Sequence, residues 1–102
     1  MNMGRFADTS KYTDAQRELW VKLIENEDKE WKTSSGLVFH YHIVGNEMFI
    51  DRKKKSITRA AVNKAFNTAV EIKVAKGPKK LLVFGASYLY PVFLELGICT
   101  AE

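Results

Sequence analysis

Leu37-Val38-Phe39-His40-Tyr41-His42-Ile43-Val44-Gly45-Asn46-Glu47-Met48-Phe49-Ile50-Asp51-Arg52 is the stretch on which the fold turns. Leu37 to Val44 is rich in aromatic and β-branched residues and reads as a strand. Gly45-Asn46 is a two-residue hairpin signal of type II′ or I′ character, and Glu47 to Arg52 is the returning strand. A two-residue loop sets Ile43 opposite Met48 and Tyr41 opposite Ile50. With Phe39, these residues make one apolar face. The other face pairs His42 with Phe49 and His40 with Asp51. Slipping the register by one residue would turn one strand inside out, so the agreement of both strands fixes the pairing.

Upstream, Thr13-Asp14-Ala15-Gln16 fits a capping box. The Thr13 hydroxyl accepts the amide of residue 16, and the Gln16 side chain reaches back to the Thr13 amide. Leu19, Trp20, Leu23 and Ile24 follow as one helical stripe, which predicts a helix over about residues 14–28. Glu25, Glu27, Asp28 and Glu30 crowd its carboxyl end, where the macrodipole disfavours anions. They call for solvent or a cationic neighbour, with the basic run at Arg52 to Lys55 as one candidate. Residues 1–12 lack periodicity and read as a flexible arm; 13–102 read as one domain. Trp31 to Gly36 reads as a connection.

Downstream, Ser56 is expected to cap a second helix over about residues 57–76, burying Val62, Phe66, Ala69, Val70 and Val74. Gly77-Pro78 is expected to end it. Lys80 to Phe84 reads as a third strand, and Ser87 to Leu96 as a last helix with Pro91 awkwardly inside it. The order α-β-β-α-β-α predicts an α+β domain. A small mixed three-stranded sheet, the hairpin plus one strand, is covered by about three helices. If the outer strands lie parallel, their crossover is right-handed.

The chain has 102 residues, 46% of them apolar, which is enough to bury a core without metal or disulfides. Cys99 is the only cysteine, so no intrachain disulfide can form, and a cytoplasmic location is expected. No signal peptide is visible at the amino terminus. Leu81 to Ile98 has Glu95 as its only charge, yet Gly85, Ser87, Pro91 and Glu95 interrupt its apolar character. It reads as core rather than as a membrane span.

Charge is unevenly spread. Residues 1–51 hold six cations and nine anions, whereas residues 52–80 hold ten cations and one anion, Glu71. Such asymmetry predicts a basic face. Its densest part is Arg52-Lys53-Lys54-Lys55-Ser56-Ile57-Thr58-Arg59, expected at the junction of the hairpin and the second helix. A helix amino terminus offers free amides to an anion. Ser56 and Thr58 add hydroxyls there, and Lys53, Lys54, Lys55 and Arg59 add charge for phosphates. Arg59, Asn63 and Asn67, with Lys64 beside them, recur on one polar stripe. Arg and Asn suit base edges in a major groove.

Nucleic acid is therefore the first partner expected. An acidic protein, or a nucleic-acid-processing enzyme inhibited by the patch, is the second, and solvation alone is the bland reading. Ser56 to Phe66 resembles the recognition half of a helix-turn-helix over 11 residues. It departs from that pattern because the preceding segment, Glu47 to Arg52, reads as strand. The Trp31-to-Arg59 stretch, with its Thr-Ser-Ser-Gly loop, hairpin and Lys-Ser-Ile-Thr turn, resembles the short uncharacterised proteins of bacterial chromosomes, phages and mobile elements. That resemblance implies no activity.

Three other groupings bear on chemistry. His40, His42 and Asp51 should share a sheet face, but three ligands without a visible supporting shell make a His40–Asp51 pair the plainer reading, and no metal is expected. In that pair the carboxylate is expected to raise the His40 pKa. Gly85-Ala86-Ser87 follows a predicted strand as a nucleophile elbow does, but position 89 is Leu rather than Gly and both histidines lie upstream. Ser87 is expected to cap a helix instead. Tyr88, Tyr90, Phe93, Leu94 and Leu96 are expected to build core, with some left over for a homodimer surface. No catalytic set is complete, so a non-enzymatic binding module without cofactors is expected.

Overall fold

A computed structural model describes residues 11–102. The arm expected over residues 1–12 lies, up to residue 10, outside the described residues. Helix α1, Asp14–Glu25, opens with the expected capping box. The Gln16 amide donates to Thr13 Oγ1 at 3.1 Å, and the Thr13 amide to Gln16 Oε1 at 3.0 Å. The helix buries Gln16, Leu19, Trp20 and Leu23 and leaves Ile24 exposed. It ends at Glu25, the first residue of the acidic cluster, rather than running through the cluster to residue 28.

The long strand expected over Leu37 to Val44 is two strands in two sheets. β1, Trp31–Lys32, pairs antiparallel with β2, Val38–Phe39, around a turn expected to be a plain connection. Thr33 closes that turn: its amide donates to the Leu37 carbonyl at 2.9 Å, and its Oγ1 accepts from the Leu37 amide at 3.0 Å. The chain then breaks at His40, whose amide donates to the Asp51 carboxylate at 3.0 Å. A side-chain acceptor takes the place of a ladder carbonyl, and the strand restarts as β3, Tyr41–Val44. β3 pairs with β4, Glu47–Ile50, in the expected register, with Tyr41 opposite Ile50 and Ile43 opposite Met48. Phe39, Tyr41, Met48 and Ile50 are buried and Ile43 is half-buried, so the predicted apolar face is the core face.

The third strand is not Lys80 to Phe84. It is β5, Ile57–Thr58, which sets Ile57 against Met48 and Thr58 against Glu47. Both sheets are antiparallel, so the hairpin and its third strand are not joined by a parallel crossover; among the described residues the parallel pairing is the isolated bridge of Val74 with Thr100. The second helix therefore starts later than expected: α2 is Arg59–Ile72, capped by Thr58 rather than Ser56. Thr58 Oγ1 accepts the Ala61 amide at 3.1 Å, while the Ser56 hydroxyl donates to Glu47 Oε1 at 2.6 Å. Losing a cap of this kind costs about 1 kcal/mol. Thr58→Ala is thus expected to lower the free energy of denaturant unfolding by about that much, and Ser56→Ala by less than half of it. The opposite ranking would restore Ser56 as the cap.

α2 also ends early. Lys73 takes φ 62°, and the chain leaves the helix to pair with the carboxyl-terminal segment: the Ala75 amide donates to the Thr100 carbonyl at 2.8 Å, and the Thr100 amide to the Lys73 carbonyl at 3.0 Å. Val70 and Val74, expected in the core, are exposed; Val62, Asn63, Ala65 and Ala69 form the inner face. Pro78 begins a 3-10 helix, Pro78–Leu81, where its fixed φ suits a first helical turn. Helix α3, Ala86–Glu95, accepts Pro91 in its interior and is capped by the backbone of Gly85, so Ser87 is not its cap.

One cluster of buried side chains runs from Leu19 to Cys99 and joins α1, α2 and α3 to both sheets. Tyr88, Tyr90 and Phe93 belong to it, as expected of core residues, and Leu94 and Leu96 pack against it half-buried. Two tyrosines bind backbone near the carboxyl ends of α1 and α2: Tyr41 Oη donates to the Leu23 carbonyl and Tyr90 Oη to the Ala75 carbonyl, both at 2.6 Å. The architecture is α+β. No helix among the described residues is long and apolar enough to cross a membrane.

Candidate nucleic-acid interface

Arg52 to Lys55 form the loop of a second hairpin, between β4 and β5, not the junction of a hairpin with a helix. The Lys53 amide donates to the Ile50 carbonyl at 3.0 Å and closes the turn. All four side chains are exposed. Arg52 Nη1 reaches the Val38 carbonyl at 3.3 Å and braces the loop against β2. The Lys55 ammonium lies 4.9 Å from the centroid of the Phe84 ring.

None of these cations forms an ion pair with a carboxylate of the described residues, although Arg52 is near enough to Asp51 to help lower its pKa. Among the described residues Asp14 pairs with Arg17, and the His40 ring lies 3.8 Å from the Glu30 carboxylate and 3.1 Å from that of Asp51. The acidic end of α1 thus turns toward His40 through Glu30, not toward the basic run. Asp51 is held below the usual carboxylate range, chiefly by the His40 amide. His42 stacks on Phe49 with centroids 5.3 Å apart. No cluster of three or more His, Cys, Asp or Glu side chains among the described residues is placed to hold a metal ion.

The stripe expected to read base edges is not an open stripe. Asn63 is 6% exposed and faces the core, with its Oδ1 unpaired. Asn67 Oδ1 accepts from Gln16 Nε2 at 3.1 Å, which joins α2 to α1. The Arg59 guanidinium lies 4.1 Å from the centroid of the Tyr12 ring and 5.0 Å from that of Trp20, and its Nη1 donates to Asn46 Oδ1 at 3.2 Å. Burial lowers its pKa, with the neighbouring Tyr12 opposing that shift. Arg59 is a clamp between α1, the first hairpin turn and α2. Lys64 alone of the stripe is exposed without such a contact. The resemblance to a recognition helix therefore ends at the sequence: the inward turn of Asn63 and the tying of Arg59 and Asn67 leave α2 no free reading edge.

Sequence reasoning missed the neighbours of the basic loop. Leu82, just after the 3-10 helix, has φ 61° and is 73% exposed; Phe84 is 45% exposed. Gly85 packs so closely on Ile57 of β5 that a Cβ there would lie 2.4 Å from Ile57 Cδ1. That contact seats the Leu82–Gly85 turn beside the β4–β5 loop. Next to it, Pro78, Lys79, Leu82, Val83, Gly85, Ala86 and Ser87 line an open cleft of about 410 Å³. The cleft contains no His, Asp or Glu to activate Ser87. Comparison of the chain with protein-family models, with curated proteins and with solved structures gave no match, so the functional reading rests on this geometry.

Proposed function

We propose that this chain is a small, non-enzymatic module that binds nucleic acid through its phosphate backbone, with the β4–β5 loop as the anchor. One observation carries the reading: four consecutive cations stand exposed on a hairpin loop, and none of them forms an ion pair with a carboxylate of the described residues. Backbone phosphates are the polymeric anion that such a cluster attracts, and the affinity comes from released counterions rather than from base readout. The loss of the α2 stripe as a reading edge fits binding without sequence preference. A cytoplasmic site of action fits the buried free thiol of Cys99.

A salt titration tests this. Engaging about four phosphates predicts a slope of log affinity on log salt of about −3 for single strands, or about fifty-fold weaker binding between about 50 and 200 mM salt. Fluorescence anisotropy with labelled oligo-dT and a duplex should show that loss, and the triple reversal K53E/K54E/K55E should abolish binding. Absence of binding to either probe at low salt would sink the reading. Capture of an acidic protein that competes for the same three lysines would then favour a protein dock.

A further inference from the structure

Resting on that reading, we infer that the ligand is single-stranded and that the Leu82–Gly85 turn is a second half of the site, where Phe84 stacks a base while the β4–β5 loop holds the phosphates. Three independent features converge on it. Phe84 keeps nearly half its surface in water although the chain has a core to place it in. The Lys55 ammonium lies over its ring, 4.9 Å from the centroid, so a base stacking on that face would take the lysine's place and leave the cation to the base's own phosphate. Leu82 adopts a left-handed conformation that L-residues other than Asn and Asp seldom take, and it presents an apolar side chain to solvent from there. The 3-10 helix needs a left-handed cap at this position, but glycine would supply it with less strain and little loss of packing, so the turn bears a cost for keeping a leucine there.

Cations tracking a backbone beside exposed aromatic rings are the general means of holding unpaired strands, because every base offers a π-face. A duplex hides those faces. The exposed face of Phe84 therefore discriminates against duplex, whereas the lysines alone do not. Lys79, on the wall of the adjoining cleft, extends the charged track past Leu82.

The test measures oligo-dT and duplex binding by anisotropy for the parent and for Phe84→Ala, Phe84→Leu, Phe84→Trp, Leu82→Gly and Lys54→Ala. Loss of one stacked base predicts about five- to 150-fold weaker oligo-dT binding by Phe84→Ala, with an unchanged salt slope. Lys54→Ala should instead reduce the magnitude of that slope by about 0.7. Phe84→Trp should bind at least as well as the parent. Leu82→Gly should bind more weakly while unfolding no earlier than the parent, a separation that simple misfolding would not give. Phe84→Leu retaining parental affinity would overturn stacking, and so would equal affinity for duplex and oligo-dT, or a Phe84-dependent preference for anionic vesicles over oligo-dT. In those cases backbone binding by the lysines survives whenever the salt slope does. No binding to either nucleic acid overturns both.

Discussion

Phe39→Ala is expected to remove about 3–5 kcal/mol of stability, the usual cost of emptying a large aromatic site in a packed core. Phe39 has no exposed surface, and its ring meets Tyr88 edge-on, with centroids 5.0 Å apart and planes at 80°. It sits in β2, immediately before the break at His40, so it pins the small β1–β2 sheet to α3 at the point where the chain changes sheets. A domain of this size has about 5–15 kcal/mol in all, so the variant should unfold at a far lower urea midpoint, followed by the fluorescence of Trp20 and Trp31. Phe39→Leu, which keeps most of the volume, should lose far less, and Phe49→Ala, half-buried on the opposite face, should lose least. A loss below about 1 kcal/mol for Phe39→Ala would mean that the β1–β2 sheet does not pack its inner face on α3.

That register was legible because every signal behind it is local. Period-two alternation, a Gly-Asn turn and a Thr-to-Gln capping box each act within a few residues, and all three appear in the structure as read. The errors fall where a distant partner decides. Ser56 and Thr58 are both good caps, and nothing within the run chooses between them. The pairing of Ile57 with Met48 does, because it holds the chain extended until Thr58. Lys80 to Phe84 is an apolar run that suits a strand as well as a buried turn; Pro78 and the left-handed Leu82 make it a 3-10 helix and a loop. The basic loop itself was found by composition, but not its neighbours. Lys55 and Phe84 are far apart in sequence, and only the seat of Gly85 on Ile57 brings them together.

The same seat yields the second large effect. Gly85→Ala is expected to cost about 2–5 kcal/mol, from two separate sources. Gly85 has φ +83°, where a side chain brings about 1–2 kcal/mol of strain. The added Cβ would also fall 2.4 Å from Ile57 Cδ1 and 2.6 Å from Cγ1, an overpacking that typically costs about 1–3 kcal/mol. Ile57 is 1% exposed and held in β5 by the ladder to Met48, so it has little room to swing away. Gly45→Ala and Gly97→Ala separate the two sources: both glycines have positive φ and open space where a Cβ would go, so each should show the backbone cost alone. Ile57→Val removes the nearer of the two clashing carbons. In the Gly85→Ala background it should therefore restore part of the loss, giving a favourable coupling of more than about 0.5 kcal/mol in a double-mutant cycle of urea unfolding. The cycle also bears on binding. If Gly85→Ala costs no more than Gly45→Ala, the Leu82–Gly85 turn does not rest on β5, and nothing then fixes Phe84 beside Lys55. If the full cost and the coupling are found, the charged loop and the aromatic turn form one rigid surface, and oligo-dT affinity should fall in Gly85→Ala and recover in the double variant.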